Sequence, residues 1–462
     1  MKIQLTHPCT VREIAHVTGA SPSPDLSWDA PVRSVATHSD EVEEATLFLA
    51  LKGENTSGLR FHSEVLRRGG YTMAQEKTEK GLLVPSVTEA LYRLANAHLR
   101  SLRRLRHTVC ITGSVGKTTT KEILWHVLSG SLCLHATVGN QNSDIGLPLT
   151  VLAAPEDTEL LLLEAGMNHK GELSRISRLV HPSLAIITGI GHAHIGNLGS
   201  REAIAEAKKE ILLGATEDAT VLIPQGEPLL DGIKGAKRVG NCGTGEYSLC
   251  RADGRLCLCT KGGARVFFPE KMQDSAMICD TAFAVAAALS LGLSPSLIEE
   301  RISVLKDNIF RQKTFCKNGT EIVFDAYNAS FESVMNAIGQ LCDKECETRA
   351  LLLGDMQELG VHTDRLNRYV AEAIAERRKR ISFLFLFGEN ANGIAAHACE
   401  AGFPSDRIFT NADADRPEAS AADIRKICRE GTCLFIKGAR GMRMERILDI
   451  LIGEKGENAD VR

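Results

Sequence analysis

The chain has 462 residues, 44% of them hydrophobic and 24% charged, a composition too apolar for a disordered polypeptide. At about 150 residues per domain it has room for roughly three domains with substantial cores. Its 54 Lys and Arg against 58 Asp and Glu give a net charge of −4, without the basic excess of a nucleic-acid-binding domain.

The opening residues MKIQLTHPCT carry no apolar signal stretch, and the longest uncharged apolar run, Thr281 to Leu293, is shorter than the roughly 20 residues that cross a bilayer. A cytoplasmic protein is expected. Fourteen cysteines without a CxxC pair read as reduced thiols that mostly fill cores. Cys242, Cys250, Cys257 and Cys259 cluster in sequence, but their spacing matches no zinc ribbon or finger, and CLC reads as alternation along a strand.

Three blocks follow one another. Residues 1–106 hold a strand-rich segment around LFLALKGE and end in a basic helix, LYRLANAHLRSLRRLR, whose charges read as a solvated face. In 107–307, strand-length apolar runs (TVCIT, LLLL, LAIIT) alternate with helical patterns, which predicts a parallel sheet with crossover helices. The stretch 215–275 looks more antiparallel. From 308 to 462 the alternation restarts with EIVFDAY, RALLLGD, SFLFLFG and TCLFIKG, separated by segments such as the helix expected over Asn367 to Arg377, and predicts a second α/β unit.

The strongest local signal is GSVGKTTT, 113–120, between the apolar run Val109 to Ile111 and a helix with Ile123, Leu124, Val127 and Leu128 on one face. Glycines at such a strand-to-helix turn let the backbone approach phosphate, whose charge the helix N-terminus and Lys117 would meet. Thr118 can offer its hydroxyl to Mg²⁺. The loop is shorter than the usual phosphate loop, with Ile111 where the first glycine would stand.

Three further signals surround it. Glu164 ends the buried run Leu160 to Leu163, at the strand terminus where ligands bind in parallel sheets. GIGHAHIGNLGS, 189–200, follows the run Leu184 to Thr188, and of His192 and His194 at most one is expected to reach the metal site. In REAIAEAKKEIL, Lys208 falls inside the helical stripe of Ile204, Ala207 and Ile211, where its stem either snorkels to water or is desolvated and reactive.

In order, GSVGKTTTKE, GNQNSDIGLPLTVL, EAGMNHKGEL, GIGHAHIGNLGS, AKKEI, FDAYNAS, LLGDMQELG and IKGARGMRMERIL resemble the Mur ligases, and within them the branch that adds D-alanyl-D-alanine. The resemblance implies an α/β protein of three domains: a mixed α/β UDP-sugar domain (1–106), a central P-loop ATPase domain with a parallel sheet (107–307) and a C-terminal Rossmann-like domain (308–462). It implies an ATP-dependent amide ligase acting on UDP-N-acetylmuramoyl-tripeptide and D-Ala-D-Ala through an acyl phosphate, as a monomer.

It also implies residue roles. Gly113, Ser114, Val115, Gly116, Lys117, Thr118 and Thr119 would bind ATP together with Arg311, Asp325, Tyr327 and Asn328, and Ser39, Asn140 and Asn142 would hold substrate. Thr118, Glu164, His194 and Lys208 would hold Mg²⁺, with Lys208 at the position the family carbamylates; Lys117, Glu164, His194 and Lys208 would be catalytic.

Several positions depart from the family pattern. The N-terminal DSR reads His38, Ser39, Asp40; the His and Asn before the Ala-rich helix read Ala276 and Asp280; KGSR reads Lys437, Gly438, Ala439, Arg440. Two other readings compete: a folylpolyglutamate-type ligase, and a degenerate ATP-binding scaffold of wall-synthesis proteins.

Overall fold

The computed structural model describes residues 1–53, 56–241, 245–270, 272, 274–305, 312–453 and 460–461. They form three sheets and divide into two compact units: Met1–Thr112, Leu124–Ile187 and Ala207–Leu222; and Gly113–Ile123, Thr188–Glu206 and Ile223–Arg462.

In the first unit a six-stranded sheet has a parallel centre, Pro31–Ala36, Thr46–Leu49, Tyr71–Ala74 and Gly81–Leu83. Antiparallel strands Lys2–Thr10 and Ser21–Pro22 close its edges. The LFLALKGE segment supplies its strand from Thr46 to Leu49, all buried. The basic helix runs Val87–Ser101, started by Ser86, whose hydroxyl accepts from Glu89 N. It stops short of Arg103, Arg104 and Arg106, because the chain must straighten into the strand His107–Thr112.

That strand lies between Leu184–Ile187 and Leu160–Glu164, parallel to both, with Thr220–Pro224 and Leu134–Ala136 outside them. Leu160 to Leu163 are fully buried, as expected of a strand covered on both faces.

The second unit contains a Rossmann-like sheet. Ile408–Asn411, Phe383–Phe387, Thr348–Gly354, Thr432–Lys437 and Thr320–Asp325 run parallel in that spatial order. Lys313–Lys317 is added antiparallel beside Thr320–Asp325, and Asp460–Val461 pairs antiparallel with its outer side. Its core joins Ile322, Leu352, Phe385, Leu434 and Ile436 to Ile447 and Leu451 of the helix Glu445–Ile452. The helix expected over Asn367 to Arg377 begins earlier, as Thr363–Glu376. Within 215–275, Tyr247–Ala252, Arg255–Thr260 and Arg265–Phe267 are antiparallel, but Lys237–Asn241 joins Tyr247–Ala252 in parallel.

The cysteine expectation needs correction. Of the described free cysteines only Cys110, Cys257, Cys342 and Cys433 are buried, and Cys250 is disulfide-bonded to Cys259. The alternation of CLC along a strand holds. It also places Cys257 and Cys259 on one face, with Cys250 directly opposite Cys257, so the three sulfurs lie within 4.8 Å of one another. Cys242 lies outside the described residues.

Candidate active site

The glycine loop takes the strand-to-helix turn its sequence requires. Gly113 (φ +149°) and Gly116 (φ +82°) have backbone angles that disfavour side chains, and the helix Lys117–Leu128 follows directly. The loop is pinned from the segment after Ile187: Thr188 Oγ1 donates to the Val115 carbonyl, Ser114 N donates to Gly189 O at 3.0 Å, and Gly191 N donates to Ser114 Oγ at 2.8 Å. A Cβ on Gly113 would come within 1.9 Å of Thr188 Oγ1. Lys117 folds over the loop, Nζ donating to Gly113 O at 2.8 Å.

Asp280, on the Ala-rich helix Ser275–Ser290, closes the loop from another side. A Cβ on Gly116 would meet its Oδ1 at 2.2 Å. Burial raises the Asp280 carboxyl well above the usual carboxylate range, against the opposing hydrogen bond to Thr119 and the charge of Lys117. Sequence comparison marked this position only as a departure; its place under the loop depends on helix packing that no local pattern encodes.

Beside Val115 lies a cleft of about 220 Å³, walled by Gly189 to Gly191, by the turn Pro224 to Glu227 and by Glu332. Arg201 braces this turn, donating to Glu227 Oε2 and to Ile190 O, both at 3.0 Å.

The histidine segment differs from its expected form. It is a turn rather than an extended strand: His194 is left-handed (φ +65°) and precedes a short helix, Ile195–Leu198. Both imidazoles therefore face acidic residues of the later chain. His192 Nδ1 lies 2.6 Å from Glu332 Oε1, which also accepts from His192 N at 2.8 Å. His194 Nδ1 lies 2.6 Å from Glu358 Oε2, a close charge contact rather than an aligned hydrogen bond. That contact holds the Glu358 carboxyl below its ordinary value against partial burial, with Lys117 adding to the same effect. Glu332 and Glu358 are functional candidates that sequence reading missed, since nothing near them marks either as a partner of histidine.

In the first unit, Glu164 is 2% exposed at the end of its strand, in register with Ile111, two residues before the loop begins. Its Oε1 accepts from Asn142 Nδ2 at 3.0 Å and its N–H donates to Thr137 Oγ1. Asn142 also accepts, through its carbonyl, from Gly166 N, whereas Asn140 stands exposed. Lys208 is 1% exposed, in the stripe of Ile204, Ala207 and Ile211, so its stem does not snorkel to water. Ser39 Oγ donates to Glu64 Oε2 at 2.9 Å.

In the Rossmann-like sheet, Asp325 is paired in register with Lys437 on the neighbouring strand, Nζ to Oδ2 at 2.8 Å. Tyr327 lies beneath the Arg440 guanidinium, 5.9 Å from the ring centre, and Asn328 is exposed. Arg311 lies outside the described residues. Asp355, of LLGDMQELG, accepts from Glu389 N and Asn390 N at the start of the helix Ala391–Glu400.

These donors suit a nucleotide with magnesium. The loop is a cradle that a Cβ at Gly113 or Gly116 would fill, and the Thr118 hydroxyl beside it offers a hard oxygen.

The Mur ligase middle domain family matches residues 111–256, and the Mur ligase glutamate ligase domain matches 310–440. A UDP-N-acetylmuramoyl-tripeptide–D-alanyl-D-alanine ligase of Bacillus subtilis is 34% identical over 460 residues, covering 96% of this chain and 98% of its own. The chain belongs to the Mur ligase family. A Synechocystis relative of the same name is 27% identical, covering 93% of this Mur ligase and 94% of its own length. Among solved structures, MurF from Acinetobacter baumannii superimposes with a TM-score of 0.86 at 24% identity, covering 97% and 100% of the two chains. MurF from Thermotoga maritima in complex with ADP gives 0.75 at 27% identity, covering 90% and 96%. This Mur ligase thus has the three-domain α/β architecture expected from its sequence.

Proposed function

We propose that this Mur ligase uses ATP to join D-alanyl-D-alanine to a UDP-N-acetylmuramoyl-tripeptide, in peptidoglycan precursor synthesis. The observation that carries this reading is the likeness, along nearly the whole of both chains, to a B. subtilis ligase of that name. A carboxylate does not acylate an amine at neutral pH, so it is first converted to an acyl phosphate, from which the dipeptide amine displaces phosphate.

Phosphoryl transfer asks mainly for positioning and charge neutralisation. The backbone N–H groups of the 113–116 loop and the start of the helix Lys117–Leu128 meet the phosphates, Lys117 supplies a cation, and Thr188, Gly189 and Gly191 keep the loop in shape. Thr118, Glu164, His194 and a carbamylated Lys208 hold magnesium, which when bound neutralises and aligns the phosphoryl oxygens. Asn142 orients Glu164.

Residues 1–106 hold the UDP-sugar, with Ser39, Asn140 and Asn142 contributing; 107–307 hold ATP; 308–462 bring the dipeptide and complete the nucleotide site with Asp325, Tyr327, Asn328 and Arg311. The protein acts as a cytoplasmic monomer; no helix among the described residues is long and apolar enough to span a membrane.

A coupled assay of ADP release tests this. Turnover is expected only when the UDP-muramoyl tripeptide and D-Ala-D-Ala are both supplied. Turnover with neither, or with glutamate and a folate instead, refutes the assignment, and ATP binding without ligation across a panel of stem peptides would establish the scaffold reading.

A further inference from the structure

The turn Glu358 to Gly360 and the turn His194 to Gly196 fit together backbone to backbone. Gly196 N donates to Glu358 O at 2.9 Å. A Cβ on Gly196 would sit 2.7 Å from that same oxygen, and a Cβ on Gly360 would sit 2.8 Å from Gly196 Cα. On either side of the contact stands a non-glycine residue in the left-handed region, His194 at φ +65° and Glu358 at φ +63°. Such conformations cost about 1–3 kcal/mol each and persist where surrounding structure imposes them. Here their result is that the two side chains meet, Nδ1 to Oε2 at 2.6 Å.

We infer that Glu358 is a positioning residue for His194: its carboxylate sits against the Nδ1 side of the imidazole and fixes the ring's orientation, leaving Nε2 as the nitrogen free of that contact. The inference rests on the proposed ligase function for what that nitrogen serves. A carboxylate held against one ring nitrogen sets the orientation of a metal-ligating imidazole, and glutamine in place of Glu358 would lack the charge that makes the contact.

The placement has a consequence for the order of events. His194 follows a strand of the middle sheet, whereas Glu358 follows a strand of the Rossmann-like sheet, in the segment LLGDMQELG. The imidazole is therefore oriented only when the two turns are docked. Glu332 on His192 and the contact of His362 Nε2 with Gly199 O, at 3.1 Å, fasten the same segment on either side. Phosphoryl transfer then waits on the lobe that brings the amine, which limits loss of the acyl phosphate to water.

The test uses the full chain and four variants: Glu358→Gly, which keeps the left-handed turn unstrained, Glu358→Gln, Glu358→Asp, and Gly196→Ala, which blocks docking. Mn²⁺ affinity is read by electron paramagnetic resonance in the presence of a non-hydrolysable ATP analogue, and kcat and KM separately by the coupled assay. Glu358→Gly and Glu358→Gln are expected to weaken Mn²⁺ binding and lower kcat roughly 10–100-fold, with KM for the UDP-sugar peptide unchanged. Glu358→Asp should restore most of both, and Gly196→Ala should reproduce the loss. Mn²⁺ affinity within twofold of wild type in Glu358→Gly or Gly196→Ala overturns the inference, as does an equal loss in Glu358→Asp and Glu358→Gly. Failure of the wild-type protein to ligate the dipeptide would sink the functional reading instead, and the Mn²⁺ titration would still judge Glu358.

Discussion

Replacing Lys437 with methionine should destabilise the Rossmann-like sheet by an amount its geometry sets. Lys437 is 3% exposed and its Nζ lies 2.8 Å from Asp325 Oδ2, the Asp325 side chain being 17% exposed. Methionine keeps most of the stem's apolar packing, so little cavity forms. What is lost is the cation opposite a largely buried carboxylate. Breaking such a pair from one side costs roughly 3–5 kcal/mol, and the residual exposure of Asp325 puts this case at the low end, about 3 kcal/mol.

A carboxylate deprived of its counter-charge is pushed toward its neutral form. Hydrogen exchange of the strands Thr320–Asp325 and Thr432–Lys437 measures the penalty locally in a chain too large for a single unfolding step. Protection should drop roughly 100-fold at pH 8 and recover when Asp325→Leu is added. A change under tenfold at pH 8, or a double variant no better than the single one, would refute the argument.

Asp280→Asn should flatten the pH dependence of stability. The raised Asp280 carboxyl keeps its proton longer in the folded than in the unfolded chain, so wild-type stability falls as pH climbs from the ordinary carboxylate value toward the folded one; melting curves with parallel pH slopes would contradict this. Gly113→Ala, whose new methyl would collide with Thr188 Oγ1, should weaken binding of an ATP analogue by about tenfold or more, taking a strain of roughly 1–2 kcal/mol, and unchanged fluorescence titrations would argue against the cradle. Lys208→Ala should abolish most turnover, and wild-type turnover should fall when bicarbonate is removed. An alanine variant at full activity would rule out the carbamate.

Much of this site is legible in sequence because its chemistry is local. The phosphate loop needs glycines at fixed places beside a strand, and Glu164 needs only to end a buried run. Lys208 betrays itself by falling in an apolar helical stripe, although the stripe alone does not separate a snorkelling lysine from a desolvated one; its 1% exposure does. The histidine pair shows where periodicity fails. A two-residue spacing puts both side chains on one face only in extended chain, and the left-handed angle at His194 breaks that premise. Glu332 and Glu358 lie more than a hundred residues from their histidines, and no spacing rule reaches so far.

Asp280 shows how an altered position can leave a site working. By resemblance an asparagine belongs there, and an ionised aspartate beside the loop would repel the phosphates that Lys117 attracts. Burial moves the balance the other way, raising the Asp280 carboxyl well above the usual carboxylate range, toward a form that offers one donor and one acceptor, as the amide of asparagine offers both functions. The same reasoning does not extend to Asp325, whose carboxylate accepts from Lys437 Nζ at 2.8 Å.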